Sequence, residues 1–348
     1  MLNGSILMKK MSFPYLMRST YILKLSVGST SKDKDHLDSV SIFSSRGPTE
    51  DGRMKPDVMA PGDNILSACA NPSTPGTCDD NGGLKYAGGT SMSAPAVCGA
   101  AAIVRQYFED GNYAQITGDV DFQNPPSGPL IKAVLINGAN TLTYDHDMQL
   151  LEPYDNVQGF GLVNLMNSLP LHKKDSMKVK VMDRQEIASN SVQEFDVNID
   201  LSKKCSLPLS VSLAWYDPPS ALGCTKCLLN DLNLFVTSGS KTYKSNGYES
   251  QKDELNNAER VQINVQEAGD QFTIHVEATD LVTDDQMYAL VITGCLSNVE
   301  DNQEKNFEKK SFDMLEESPY LVRWEPLDHE HKKGKGKDKD KQKKDDQK

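Results

Sequence analysis

The chain has 348 residues, 38% of them hydrophobic and 25% charged, which gives room for two domains with their own cores and places most of it among globular proteins. A formal net charge of −12 sets aside a phosphate backbone as partner for the folded part, so no nucleic-acid role is expected. No apolar run approaches the roughly 20 residues needed to cross a bilayer.

Met1 to Ser26 is apolar and free of acidic residues, but Lys9, Lys10, Pro14, Arg18 and Lys24 cut it into short pieces. A signal-peptide core and a transit-type segment around Arg18-Ser19-Thr20 both rank below the expectation that the protein begins further upstream. Residues 1–38 therefore carry no fold assignment. Ser39–Ser44 reads as a short strand ended by Gly47-Pro48, Asp57–Ala60 as a buried strand start before Pro61-Gly62, and Asn64–Ala68 as another strand.

These lead into Tyr86-Ala87-Gly88-Gly89-Thr90-Ser91-Met92-Ser93-Ala94-Pro95, followed by a block of small residues to Val104. Two glycines permit a tight turn and a close backbone approach, and the small residues read as a helix packed hard against its surroundings. Ser91 then sits where loop becomes helix. Pro95 is expected in the first turn, where backbone N–H groups lack acceptors, and those free N–H groups would stabilise an oxyanion. The plain alternative is a Gly-Ser turn entering a core helix. The helix is expected to run to about Phe108, with Glu109-Asp110-Gly111 as its stop, and a second helix begins at Pro129 and ends near Gly138. A short helix from Leu162 to Leu169 precedes Pro170.

Gly89-Thr90-Ser91-Met92-Ser93-Ala94-Pro95 resembles the segment around the nucleophilic serine of the subtilisin-like serine proteases, the subtilases, with Ser91 on the nucleophile. Phe43-Ser44-Ser45-Arg46-Gly47-Pro48 and Lys55-Pro56-Asp57-Val58-Met59-Ala60-Pro61-Gly62 resemble the segments before that loop. Gly159-Phe160-Gly161-Leu162-Val163-Asn164 resembles the turn that closes the catalytic domain. The resemblance implies an α/β parallel-sheet domain, here its C-terminal half at residues 39–170, acting on polypeptides. In the family the aspartate and histidine of the triad and the asparagine oxyanion donor lie N-terminal to this region. None of His36, His146, His172, His275, His329 and His331 stands in a His-Gly-Thr setting, and His36 reads as a solvated surface residue. A serine without a positioned base is a weak nucleophile, so this stretch alone is expected to be a poor protease lacking an N-terminal half. The competing expectation is a pseudoprotease or binding module.

From Leu171 the period becomes alternating, with strand-like runs at Lys178–Val181, Glu194–Ile199, Leu209–Trp215, Leu232–Val236, Arg260–Val265, Phe272–Ala278 and Tyr288–Thr293. The expectation is an all-β sandwich or jelly-roll over 171–297. Val211–Pro219 and Asn230–Leu234 resemble the β-barrel domain behind the catalytic domain of some alkaline subtilases. Asp217, Asn230 and Asp231 are candidate calcium ligands there, against the plainer reading of turn-capping residues, and catalysis itself needs no cofactor.

Of seven cysteines, Cys98 is expected to be a buried free thiol. Cys69 and Cys78 flank a Pro/Gly loop and suit a local disulfide. Cys224-Thr225-Lys226-Cys227 suits a redox pair, half a metal site or a small clip, with no second Cys-x-x-Cys to complete a metal site. Disulfides imply an oxidising compartment, hence secretion or the secretory and endolysosomal pathway. Residues 298–348 are charged and end in a Lys/Asp tract that cannot bury a core.

Overall fold

The computed structural model describes residues 5–8, 23–31, 39–69, 83–122, 125–173, 175–201 and 207–297. The first of its strands, β1 (Ser5–Met8) and β2 (Leu23–Thr30), pair antiparallel, and β2 pairs in parallel with β3 (Val58–Pro61). A two-stranded ribbon follows, β4 (Ile65–Ala68) with β5 (Leu84–Ala87), and then the helices α1 (Thr90–Glu109), α2 (Asn112–Thr117) and α3 (Gly128–Asn137). The remaining elements are β6 (Lys178–Ala188), β7 (Ser191–Asn198), β8 (Leu209–Trp215), β9 (Asn230–Ser238), β10 (Lys241–Lys244), β11 (Ala258–Ile263), α4 (Val265–Ala268), β12 (Gln271–Leu281) and β13 (Asp285–Gly294). They form two four-stranded antiparallel sheets, ordered β11-β8-β13-β6 and β10-β9-β12-β7. The protein is thus a mixed helix and sheet fold with few helices and many strands.

Burial orders these elements into layers. Leu25, Val27 and Val58 pack with Val97, Ala101 and Val104 of α1 and with most of α3. The same core takes in Val179, Val181, Ala214, Ala289 and Val291 from the sheet β11-β8-β13-β6. That sheet therefore lies against α3 with one face. Its other face, through Val211, Leu213, Trp215, Leu290 and Ile292, shares a second core with Leu232, Leu234, Val236, Ile274 and Val276 of the last sheet. A strand buried on both faces reads as unbroken burial, and β8 is buried at all seven positions.

Several local expectations change. Ser39 and Val40 make only isolated bridges, to Tyr144 and Thr30, so the strand expected at 39–44 is absent and β2 lies earlier, inside the unassigned segment 1–38. α1 stops at Glu109, within the expected Glu109-Asp110-Gly111, and Gly111, at φ +73°, then turns the chain into the separate short helix α2. The helix expected at Leu162–Leu169 is a single 3-10 turn, Leu165–Asn167, which Asn164 caps by accepting from the Met166 N–H. Ser127 caps α3, accepting from the Leu130 N–H at 3.1 Å ahead of Pro129.

Candidate active site around Ser91

Ser91 is the second residue of α1 and is exposed at the head of the helix. Its loop is fixed from below. The Gly89 N–H donates to the Gly62 carbonyl at 2.8 Å, the Gly62 N–H donates to Thr30 O at 3.2 Å, and the Met92 N–H closes the helix start on Gly89 O at 2.9 Å. Gly62 allows no side chain, because a Cβ there would come within 2.0 Å of Ser93 Oγ and 2.6 Å of Ser29 Oγ. Sequence dictates the site at this point: the segments cross at backbone distance because Gly62 carries no side chain, and Gly89 takes a φ of +151° that side-chain-bearing residues rarely adopt.

Behind that crossing, Ser29 Oγ shares a hydrogen bond with Ser41 Oγ at 2.9 Å, and the Ser29 N–H donates to Ser44 Oγ at 3.0 Å. Two residues after Ser91, Ser93 is fully buried with its hydroxyl unpartnered. The strand leading to the crossing rests on a buried ion group. Asp57 Oδ1 lies 2.7 Å from Lys55 Nζ and 3.1 Å from Lys132 Nζ, and Oδ2 accepts from the Ser26 N–H at 2.6 Å. Burial alone would raise the Asp57 carboxyl, but the charges of Lys132 and Lys55 outweigh it and hold the group well below the usual carboxylate range.

Pro95 lies in the second turn, not the first, because α1 begins at Thr90. Its missing N–H leaves the Ser91 carbonyl without the usual intrahelical donor. Cys98 is exposed, which corrects the expectation of a buried thiol. The buried stripe of α1 is Ser93, Val97, Ala101, Val104, Tyr107 and Phe108 alone. Pro95, Ala96, Cys98, Gly99, Ala102 and Ile103 on the other side are exposed, and Ile103 is 56% accessible. Residues 90–104 carry no charge.

No described histidine is joined to Ser91. His275 is held between Thr237 Oγ1 at 3.0 Å and Glu194 at 3.2 Å, stacked on Phe235. His146 faces Asp147 at 3.1 Å. The His172 N–H donates to Asp175 in an exposed turn. His36, His329 and His331 lie outside the described residues.

The three candidate calcium ligands do not form one site. Asp217 accepts the N–H groups of Leu229 and Asn230, and Asn230 accepts from Val282 N–H while donating to Thr283 and Gln286. Those two are turn caps with their polar atoms in use. Asp231 follows Asn230 on β9, so its side chain leaves by the opposite face of the sheet. Burial pushes the Asp231 carboxyl up to about 6. Cys224 and Cys227 form a disulfide, the small clip among the readings of that motif. Cys69 is disulfide-bonded too, although Cys78, the partner expected for it, lies outside the described residues.

Sequence reasoning missed Arg260. It is 1% exposed, and its guanidinium donates to the carbonyls of Ile136 at 2.6 Å, Ala139 at 3.0 Å and Phe160 at 3.0 Å. Its plane lies over the rings of Tyr154 and Phe160. Ile136 lies in the last turn of α3 and Ala139 just beyond its C-cap, at the end where the helix dipole favours a cation. Phe160 in turn donates its N–H to Asp57 O at 2.9 Å, next to β3. One arginine of the β-rich half thus ties α3 to the strand that carries the serine crossing.

Comparison with known proteins agrees with this geometry. Residues 11–161 match the model described as the subtilase family. The serine protease/ABC transporter B family protein tagA of Dictyostelium discoideum is 30% identical over 278 residues, covering 72% of this chain and 15% of that protein. Its relative tagD from the same organism is 32% identical over 255 residues, 61% of this chain and 14% of that protein. The C5a peptidase of Streptococcus pyogenes is 31% identical over 176 residues, 49% of this chain and 13% of that protein. The chain spans about a sixth or less of the length of these relatives. Through residues 11–161 the chain belongs to the subtilase family.

Proposed function

We propose that this chain is the C-terminal part of a subtilisin-like serine endopeptidase in which Ser91 attacks the scissile carbonyl. The observation that carries the reading is the exposed Ser91 hydroxyl at the head of α1, on a loop fixed by the Gly62–Gly89 crossing. Backbone N–H groups in the first turn of α1 point where an oxyanion would form. The histidine base and its aspartate come from polypeptide beyond this stretch, as does the surface that covers Pro95, Cys98, Ala102 and Ile103. A charge-free helix face left open among the described residues supports that requirement. The substrate is a polypeptide, and no cofactor enters the chemistry. The two antiparallel sheets from residue 171 onward are a jelly-roll or sandwich domain of the type behind some subtilase catalytic domains. The Cys224–Cys227 disulfide supports a secreted or endolysosomal location.

Without its base the chain alone hydrolyses peptides at a rate lower by several powers of ten than a complete triad. The test is labelling by a fluorophosphonate probe, which reports nucleophile activation directly. Ser91 in the natural product that contains this stretch should be labelled, with Ser91→Ala abolishing the signal, while the 348-residue chain stays unlabelled. If the longer product is not labelled at Ser91, the nucleophile assignment fails. The second reading, a pseudoprotease whose β-rich half binds a partner, then takes its place; the engagement of His146 and His275 by other side chains is what favours it.

A further inference from the structure

The two sheets of the β-rich half end in the edge strands β11 and β10, and a cleft of about 340 Å³ opens between them. Three tyrosines line it: Tyr243 on β10, Tyr248 after the turn that follows β10, and Tyr154 from the loop before Phe160. Val261 and Gln262 of β11 face the same space. Two of the rings are anchored from behind. Tyr243 packs against the second core. Tyr154 packs against the first, its hydroxyl accepts from Arg260 Nε at 3.3 Å, and the guanidinium lies 5.0 Å from the ring centre. The turn is equally fixed: the Tyr248 N–H donates to Ser245 O at 3.1 Å, and Gly247, at φ +76°, comes so near Tyr154 that a Cβ would stand 3.2 Å from the ring. The charged residues of the lining, Lys244 and Glu249, are of opposite sign, so the cleft selects by shape and apolar surface and not by net charge.

The backbone of β11 adds a second, independent feature. Asn246, buried in the turn, donates from Nδ2 to Ala258 O at 3.1 Å and accepts the Arg260 N–H on Oδ1 at 3.0 Å. Its carboxamide thus fills the outer side of β11 as the N–H and C=O of a neighbouring strand would. Backbone groups on an antiparallel strand alternate in direction, and the register of β11 with β8 is unbroken from Ala258 to Ile263. The Arg260 C=O and the Gln262 N–H therefore point the same way, one strand repeat further on, where the tyrosine cleft lies. Among the described residues no backbone group outside the β8 ladder meets them. An edge with an open donor and acceptor is a template for another strand. We propose that this cleft binds an extended polypeptide segment, which pairs with Arg260 C=O and Gln262 N–H along the β11 edge and seats one bulky apolar or aromatic side chain among Tyr154, Tyr243 and Tyr248. This is strand addition with a side-chain pocket beside it, backbone pairing giving affinity and the pocket giving selectivity. Aromatic walls suit a sugar face as well as a side chain; the open backbone pair is what favours polypeptide. The proposal does not depend on the chemistry at Ser91.

The test is fluorescence anisotropy with the full-length chain and a fluorescein-labelled, end-blocked heptapeptide of alternating Ser and Thr with Trp at its centre. Saturable binding is expected, weakened at least about 10-fold when the central residue is Gly, because the pocket is then left unfilled. N-methylation of every second peptide residue, made in both phases, probes the backbone. One phase removes the N–H that meets Arg260 C=O and should weaken binding at least about 10-fold; the other faces away and should leave it within about 2-fold. Tyr248→Ala should weaken binding at least about 10-fold, while Leu222→Ala, at a fully exposed position elsewhere, leaves it unchanged. The methylation comparison is made on the unaltered protein and so decides the matter even where Tyr248→Ala fails to fold. No saturable binding of the Trp peptide overturns the proposal, as do equal losses from the two methylation phases. Displacement of the peptide by cellohexaose that itself binds more tightly assigns the cleft to a glycan and overturns the polypeptide reading.

Discussion

Replacing Arg260 by alanine removes the hydrogen bond from its Nε to the Tyr154 hydroxyl at 3.3 Å and, with it, three charge-assisted bonds to Ile136, Ala139 and Phe160 at 2.6–3.0 Å. All three acceptors are backbone carbonyls beside a side chain that is only 1% exposed, so water does not replace the donor without opening the contact. At about 1.5 kcal/mol for each charge-assisted bond, the low end for bonds to charged groups, the loss is about 4.5 kcal/mol. Truncation of the stem against Tyr154 and Phe160 adds to it. That is a large fraction of the roughly 5–15 kcal/mol by which a domain is stable. Arg260→Lys keeps the charge and loses the planar fork, and should cost about half as much. Urea unfolding followed through Trp215 fluorescence measures both. A loss below about 1 kcal/mol for the alanine variant would show that the carbonyls find other donors and that the clamp is not a principal tie.

Asp57→Asn leaves Lys132 buried without its countercharge and should cost about 3–5 kcal/mol by denaturant titration; a neutral result would sink the ion-group argument. Because the folded Asp57 carboxyl lies below its ordinary value of 3.8, its stabilisation is present above that pH and is lost as pH falls through the acid range. The wild type should therefore lose more stability on acidification than Asp57→Asn, and parallel profiles would contradict this. Gly62→Ala should cost about 1–3 kcal/mol through overpacking against Ser93 and Ser29, and should raise hydrogen exchange across 84–92. Unchanged exchange there would mean that the crossing does not fix the serine loop. Cys98 should react with a thiol reagent in the folded chain, and labelling that appears only on unfolding would contradict its exposure.

The parts legible in the sequence are those set by short-range chemistry. Gly88-Gly89 before a charge-free run locates the head of α1, and alternating runs locate most strands within a few residues. What escapes such reading depends on neighbours far along the chain. Ser210 and Ser212 alternate with Val211 and Leu213 as a solvated face would, yet both are buried and hydrogen-bonded to Asn137 of α3. Arg260 alternates in the same way on β11 and is buried for the same reason. Cys98 reads as an inside residue because small residues pack well, but such residues fix only that a helix can be approached closely, not which face is. The paired turn caps Asp217 and Asn230 look like ligands because caps and hard-cation ligands are the same residue types.

The position of α3 explains why the two halves of the described chain are energetically one. On one side it packs with Val58 and α1, the elements that hold the serine loop. On the other, Asn137 donates to Thr293, accepts from Ser212, and gives its carbonyl to Ser210, so three strand positions of the β-rich half close on one helix end. Buried polar networks of this sort tolerate no partial satisfaction, because each unmatched group costs about 1–3 kcal/mol. The sheet β11-β8-β13-β6 therefore cannot be removed without exposing the apolar side of α3 and orphaning the groups around Asn137 and Arg260. The β-rich half is in this sense part of the scaffold that orients β3 and α1. A chain shortened to end near residue 170 should lose the ordered serine loop, not merely an accessory domain, and hydrogen exchange across residues 84–92 in the shortened chain compared with the full one measures whether it does.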